Sequence, residues 1–126
     1  MGTLLDTSIL IEHERGAALD LPEGEVGIAA ITLSELLHGA HRGAARERAI
    51  REAGIEDLLD TTVVIPFDET VARVHARLWA DLAGRGAMVG PHDLQIAATA
   101  VALGWELATL DRVAFSRVPG LRLRAP

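Results

Sequence analysis

A chain of 126 residues, 49% hydrophobic and 24% charged, has the balance of one globular domain rather than of a disordered or fibrous chain. It has no cysteine, which excludes a disulfide scaffold, a thiolate metal site and a cysteine nucleophile, and which fits a reducing, cytoplasmic setting. All twelve basic residues are arginine, so the lysine of a P-loop or of Schiff-base chemistry is missing, and a net charge of −6 gives the molecule as a whole no attraction for nucleic acid.

The N-terminus has no basic region before its apolar residues, and Asp6 interrupts them, so neither a secretory signal nor a membrane span is expected. Thr3-Leu4-Leu5 reads as a strand and Ser8 to Arg15 as a helix. Val26 to Ala29 is a second strand, Leu33 to about Arg42 a helix, and Ala44 to Leu59 a charged helix. Thr62 to Ile65 is a β-branched strand closed by Pro66. Glu69 to about Ala83 carries Val71, Val74, Leu78 and Leu82 at helical spacing. Pro91 suits the first turn of the next helix and Gly104 its end. Trp105 to Leu110 is a strand, Arg112 to Arg117 a short turn or helix, and Leu121 to Leu123 a final strand. Strands separated by helices predict an α/β fold in three layers, a central parallel sheet with helices on both faces, formed by residues 1–126 as one domain.

Four acids fall at matching places in this pattern. Asp6 follows the first strand, and Glu35 is expected in the first turn of the helix after the second. Asp93 follows Pro91, and Asp111 follows the Trp105–Leu110 strand. Read singly, each is a helix cap, because free N–H groups and the helix dipole favour an acid there. Thr32-Leu33-Ser34-Glu35 even spells a capping box. Read together they mean more. In a parallel sheet the helix N-termini lie beyond the carboxyl ends of the strands, where ligand sites open, so the four acids converge. Two carboxylates about 5 Å apart repel by about 3 kcal/mol at an effective dielectric of 20. A cluster of them must hold protons or cations, and oxygen donors without thiolate suit Mg²⁺ or Mn²⁺. Without these four the net charge would be only −2, so the rest of the surface is nearly balanced.

With these segments in view, the chain resembles the PIN-domain ribonucleases, most closely the VapC toxins of prokaryotic toxin–antitoxin pairs. The marks are Leu4-Leu5-Asp6-Thr7-Ser8-Ile9-Leu10-Ile11, Thr32-Leu33-Ser34-Glu35-Leu36-Leu37-His38-Gly39, Asp93-Leu94-Gln95-Ile96-Ala97-Ala98-Thr99-Ala100, and Ala108-Thr109-Leu110-Asp111 followed by Phe115 and Val118-Pro119-Gly120-Leu121. None is specific alone; four in order at this spacing are. The resemblance implies that Asp6, Glu35, Asp93 and Asp111 are the catalytic, metal-holding acids, Asp6 and Asp93 most directly. It implies metal-assisted hydrolysis of RNA phosphodiesters with Mg²⁺ or Mn²⁺, and neutralisation by a cognate VapB-type antitoxin; a homodimer is expected because most soluble oligomers are two-fold symmetric. The antitoxin's tail would wrap the toxin, and an arginine from it would enter the acid pocket. Thr7 and Ser8 resemble hydroxyls that either meet the metal shell or a substrate phosphate, or cap the first helix. His92 is a further substrate contact or a surface residue, and Thr109 orients Asp111. The alternatives are an RNA-processing nuclease outside a toxin pair and an inactive binding module, for which four mutually repelling acids have no use.

Other residues compete for attention. His38 and His41 suggest a zinc pair, but no third ligand has an obvious place. Arg42, Arg46, Arg48 and Arg51 alternate with Glu47 and Glu52, which reads as a solvated, ion-paired face with RNA backbone contact as the alternative. Trp79, beside the apolar stripe of its helix, reads as core, with an interface contact as the alternative. Leu36, Leu37, Leu78 and Trp79 mark apolar helix surface that one domain leaves partly uncovered for the antitoxin. A dehalogenase-like phosphatase and a response-regulator receiver both need a lysine and are excluded; no glycine-rich dinucleotide fingerprint is present.

Overall fold

The computed structural model describes residues 1–18 and 20–125. Four strands, β1 (Thr3–Leu5), β2 (Val26–Ala29), β3 (Val63–Ile65) and β4 (Glu106–Ala108), form one sheet in the order β3-β2-β1-β4. Every pairing is parallel: Thr3 lies opposite Val26 and Glu106, and Gly27 opposite Val63. The helices between them are α1 (Thr7–Glu14), α2 (Ala30–His41), α3 (Ala45–Leu59), α4 (Glu69–Gly84), α5 (Pro91–Leu103) and α6 (Arg112–Phe115).

Side chains alternate across a strand, and a parallel sheet buries both faces. Leu4 and Ala29 accordingly enter one core with Val71, Leu78, Leu82, Ile96, Leu107 and Phe115, packed under α4 and α5. Leu5 and Ile28 enter a second core with Leu10, Leu36, Ala40 and Ile55, under α1, α2 and α3. The α/β layering expected from the sequence is therefore observed, with an apolar layer on each face of the sheet.

Several expectations need correction. The helix expected from Leu33 begins at Ala30, directly out of β2. Its N-cap is Ala29, so Thr32 and Glu35 form no capping box; Thr32 is fully buried, and Glu35 stands in the second turn. The tertiary contact of Thr32 with Thr7 outweighs its capping preference. The last strand reduces to a single parallel bridge between Leu107 and Leu123, made by Leu107 N–H to Arg122 O at 2.9 Å and Arg124 N–H to Leu107 O at 2.8 Å. Leu36 and Leu78 are buried, in different cores, so they offer no common surface. Trp79 is not core: it is 59% exposed, stacked edge-on with His75, which in turn meets Phe67. Gly104 ends α5 at φ 69°, the left-handed conformation that favours glycine.

Candidate active site

The strand order puts β1 between β2 and β4, and the chain leaves β1 toward β2 but returns to its other side as β4. A crevice opens beyond the carboxyl ends at such a reversal. Asp6 follows β1 and Asp111 follows the β4 turn, so both sit at that edge; Glu35 and Asp93 enter it from α2 and α5. The charges of the other three acids all bear on Asp93. Its carboxyl is held above the usual carboxylate range, first by partial burial, then by the negative charges of Asp6, Asp111 and Glu35, while His92 pulls the other way.

Asp6 is 4% exposed. It occupies the N-cap position of α1, yet its side chain makes no capping bond. Its Oδ2 instead accepts the hydroxyl protons of Ser8 and Thr109, each at 2.7 Å. Glu35 is held from both sides: Thr7 Oγ1 donates to Oε1 at 2.8 Å, and His92 Nδ1 stands 3.4 Å from Oε2. Asp93 lies in the first turn of α5, after Pro91, with its helix start at Gly90. Asp111 is the one member of the quartet that caps, accepting the Ala114 N–H at 3.3 Å. Thr109 Oγ1 accepts the Asp111 N–H at 2.9 Å, so it orients Asp111 through the backbone, as the sequence suggested.

The donor set is all oxygen, the ligand chemistry that a hard divalent cation prefers. Among the described residues no three Asp, Glu or His side chains are close enough to hold a metal ion as they stand. The arginine-rich face behaves as a solvated one at Arg48, which pairs with Glu52 at 2.8 Å, whereas Arg51 turns to the Gly39 carbonyl at 3.0 Å. A groove of about 990 Å³ begins at Thr7, Glu35 and His92 and runs between α1 and the α2–α3 pair, past Arg42 and Arg51. The role of Thr32 was missed in the sequence because its position inside α2 was read as a cap.

This pocket at the carboxyl edge of a parallel sheet coincides with what comparison finds. The family model for the PIN domain matches residues 3–121. Ribonuclease VapC1 of Rickettsia felis is 35% identical over 127 residues, covering 98% of this chain and 95% of that protein. The tRNA(fMet)-specific endonuclease VapC of Salmonella typhimurium is 33% identical, covering 95% of this chain and 94% of that protein. Among solved structures, DNA-bound VapBC from Salmonella typhimurium superposes with a TM-score of 0.87 at 30% identity, over 98% of this chain and 97% of that one. VapBC-5 from Mycobacterium tuberculosis, a member of the VapBC family of toxin–antitoxin systems, superposes with a TM-score of 0.79 at 33% identity over 98% of each chain. The chain belongs to the PIN-domain family, and within it to the VapC ribonucleases. Nucleases of the PIN family depend in general on divalent metal.

Proposed function

We propose that this chain is an endoribonuclease toxin that hydrolyses RNA phosphodiester bonds with Mg²⁺ or Mn²⁺ held by Asp6, Glu35, Asp93 and Asp111. A cognate VapB-type antitoxin neutralises it. The reading is supported by geometry at the carboxyl edge of the sheet: Thr109 bonds both the Asp6 carboxylate and the Asp111 N–H, while Glu35 is bonded by Thr7 and faces His92, the neighbour of Asp93. A bound divalent ion supplies Lewis-acid polarisation of the phosphate and a water of lowered pKa.

The rest of the chemistry belongs to the chain. Asp6 and Asp93 would be the principal ligands of such an ion, with Glu35 and Asp111 completing the set. Glu35 is steadied by Thr7, so its carboxylate meets the pocket in one orientation. The hydroxyls of Thr7 and Ser8 are engaged with Glu35 and Asp6, which makes them supports of the acids rather than first contacts for RNA. His92, with a side chain 55% exposed beside Glu35, is the group best placed to meet a substrate phosphate. No side-chain nucleophile is needed.

The relatives include two proteins named as tRNA(fMet)-specific endonucleases, so initiator tRNA is the first substrate to try. The structural relatives are VapBC complexes, which supports an antitoxin partner. The working unit is a single domain, residues 1–126, in a cytoplasmic homodimer, and the open aromatic surface of Phe67 and Trp79 is available for a protein contact. No helix among the described residues is long and apolar enough to cross a membrane.

The test is incubation of the purified protein with total RNA, with and without Mg²⁺, followed by mapping of new ends. Discrete new ends that need the metal support the reading. Unchanged RNA at saturating Mg²⁺ and Mn²⁺ overturns it. Co-expression with the product of an upstream antitoxin-sized gene should yield a complex with suppressed cleavage; full activity in a stoichiometric complex defeats the antitoxin part alone.

A further inference from the structure

Two hydroxyls converge on one oxygen of Asp6. Ser8 Oγ and Thr109 Oγ1, 101 positions apart in the chain and 3.4 Å apart in space, each donate to Oδ2 at 2.7 Å. Each hydroxyl also accepts a backbone N–H from the turn after β4: Leu110 donates to Ser8 at 3.1 Å, and Asp111 donates to Thr109 at 2.9 Å. The turn that carries Asp111 is thus suspended from the carboxylate of Asp6 through two parallel links. Among the described residues nothing donates to Oδ1 of Asp6.

The arrangement has a physical consequence. The terminal torsion of an aspartate is broad, so an unsupported carboxylate presents either oxygen in many orientations. Two short bonds to an ionised acceptor are the strong, charge-assisted kind, and together they select one orientation. Thr109 is 7% exposed and Asp6 4%, so water competes weakly for those bonds. The same two hydroxyls fix the backbone at Leu110 and Asp111, so the two acids move as a unit.

We propose that Ser8 and Thr109 are positioning residues that act as a double clamp. They commit Oδ2 of Asp6 to the protein, leave Oδ1 as the oxygen that a bound cation would find unengaged, and set the place of Asp111 relative to Asp6. The proposal deepens the nuclease reading and rests on it. It gives Ser8 a role that neither helix capping nor substrate contact supplies.

The test measures Mn²⁺ binding to the RNA-free protein by calorimetry, alongside kcat and KM for RNA cleavage. The variants are Ser8→Ala, Thr109→Val, Thr109→Ser and the Ser8→Ala/Thr109→Val pair. Loss of a hydrogen bond behind a ligand weakens metal binding by about tenfold to a hundredfold, and that is expected of Ser8→Ala and of Thr109→Val, with KM for RNA unchanged. Thr109→Ser, which keeps the hydroxyl and loses the methyl, should restore binding. The double variant should lose less than the product of the single losses, because both links end on the same oxygen. Should Thr109→Val fail to fold, Ser8→Ala carries the same prediction. Wild-type Mn²⁺ affinity in Ser8→Ala, a Thr109→Ser protein as weak as Thr109→Val, or a change confined to KM overturns the clamp alone. A wild-type protein that neither binds Mn²⁺ nor cuts RNA overturns the nuclease reading and the clamp with it.

Discussion

Thr7 Oγ1 lies 2.8 Å from Glu35 Oε1, so the first residue of α1 holds an acid in the second turn of α2. Glutamate has one more torsion than aspartate, and without this bond only the longer contact to His92 would steady its carboxylate. Thr7→Val keeps the shape and removes the donor. We expect it to lower kcat by about tenfold, the smaller end of the cost of a lost supporting bond, with Thr7→Ser close to wild type. Steady-state cleavage of a defined RNA measures both; equal loss in the two variants would point to packing instead.

Asp93 makes a pH-dependent prediction whose sign follows from its raised carboxyl. The folded state holds that proton more tightly than the unfolded chain, so its contribution favours folding at low pH. It is lost as pH rises through the folded pKa. At neutral pH, without metal, the ionised Asp93 therefore opposes folding, through its burial and the charges of Asp6, Asp111 and Glu35. Asp93→Asn should melt above wild type at pH 7 in chelator, and the gap should close as pH falls into the ordinary carboxylate range. Thermal melts from pH 3.5 to pH 8 would show it; a variant less stable than wild type at pH 7 contradicts the assignment.

Metal should reverse that relationship. A ligand that binds only the folded state stabilises it by about 2.7 kcal/mol at a hundredfold excess over Kd. Mn²⁺ should raise the Tm of wild type, and Asp93→Asn should lose most of that rise. Because ligands must be deprotonated, the shift should also grow as pH rises through the raised Asp93 pKa. An equal rise in both proteins would place the ion elsewhere.

Gly2 is buried, and a methyl on it would fall inside the indole ring of Trp105. The neighbour is a rigid ring rather than a flexible chain end. Gly2→Ala should therefore destabilise the protein by about 1–3 kcal/mol, as overpacking does, with catalysis intact in the folded fraction. Urea denaturation checks it. Unchanged stability would mean that the strand and Trp105 shift apart at no cost.

Much of the site was legible because two acids follow short apolar strands, Asp6 after β1 and Asp111 after β4, while Asp93 follows the helix-opening Pro91. Glu35 could be nominated but not located, because Thr32 and Glu35 match a helix-start pattern that the burial of Thr32 overrides. Trp79 was misplaced for a related reason. It sits next to the Val71–Leu78 stripe in sequence, yet points outward to stack on His75. The final strand at Leu121–Leu123 has strand-forming residues but bonds to β4 around Leu107 only. The hydroxyl links of Ser8 and Thr109 lay beyond the sequence, since they depend on hydrogen bonds between residues about a hundred positions apart.

The central claim is that the four acids hold a cation that cuts RNA, and the Asp6→Asn variant tests it most directly. The substitution keeps the shape and removes the buried charge that Ser8 and Thr109 support. With matched Mg²⁺ and an RNA cut by wild type, the account predicts a loss of at least about a hundredfold, on the order of 3 kcal/mol of barrier, with the native melting transition retained. Cleavage at the wild-type rate by a folded Asp6→Asn protein would contradict it.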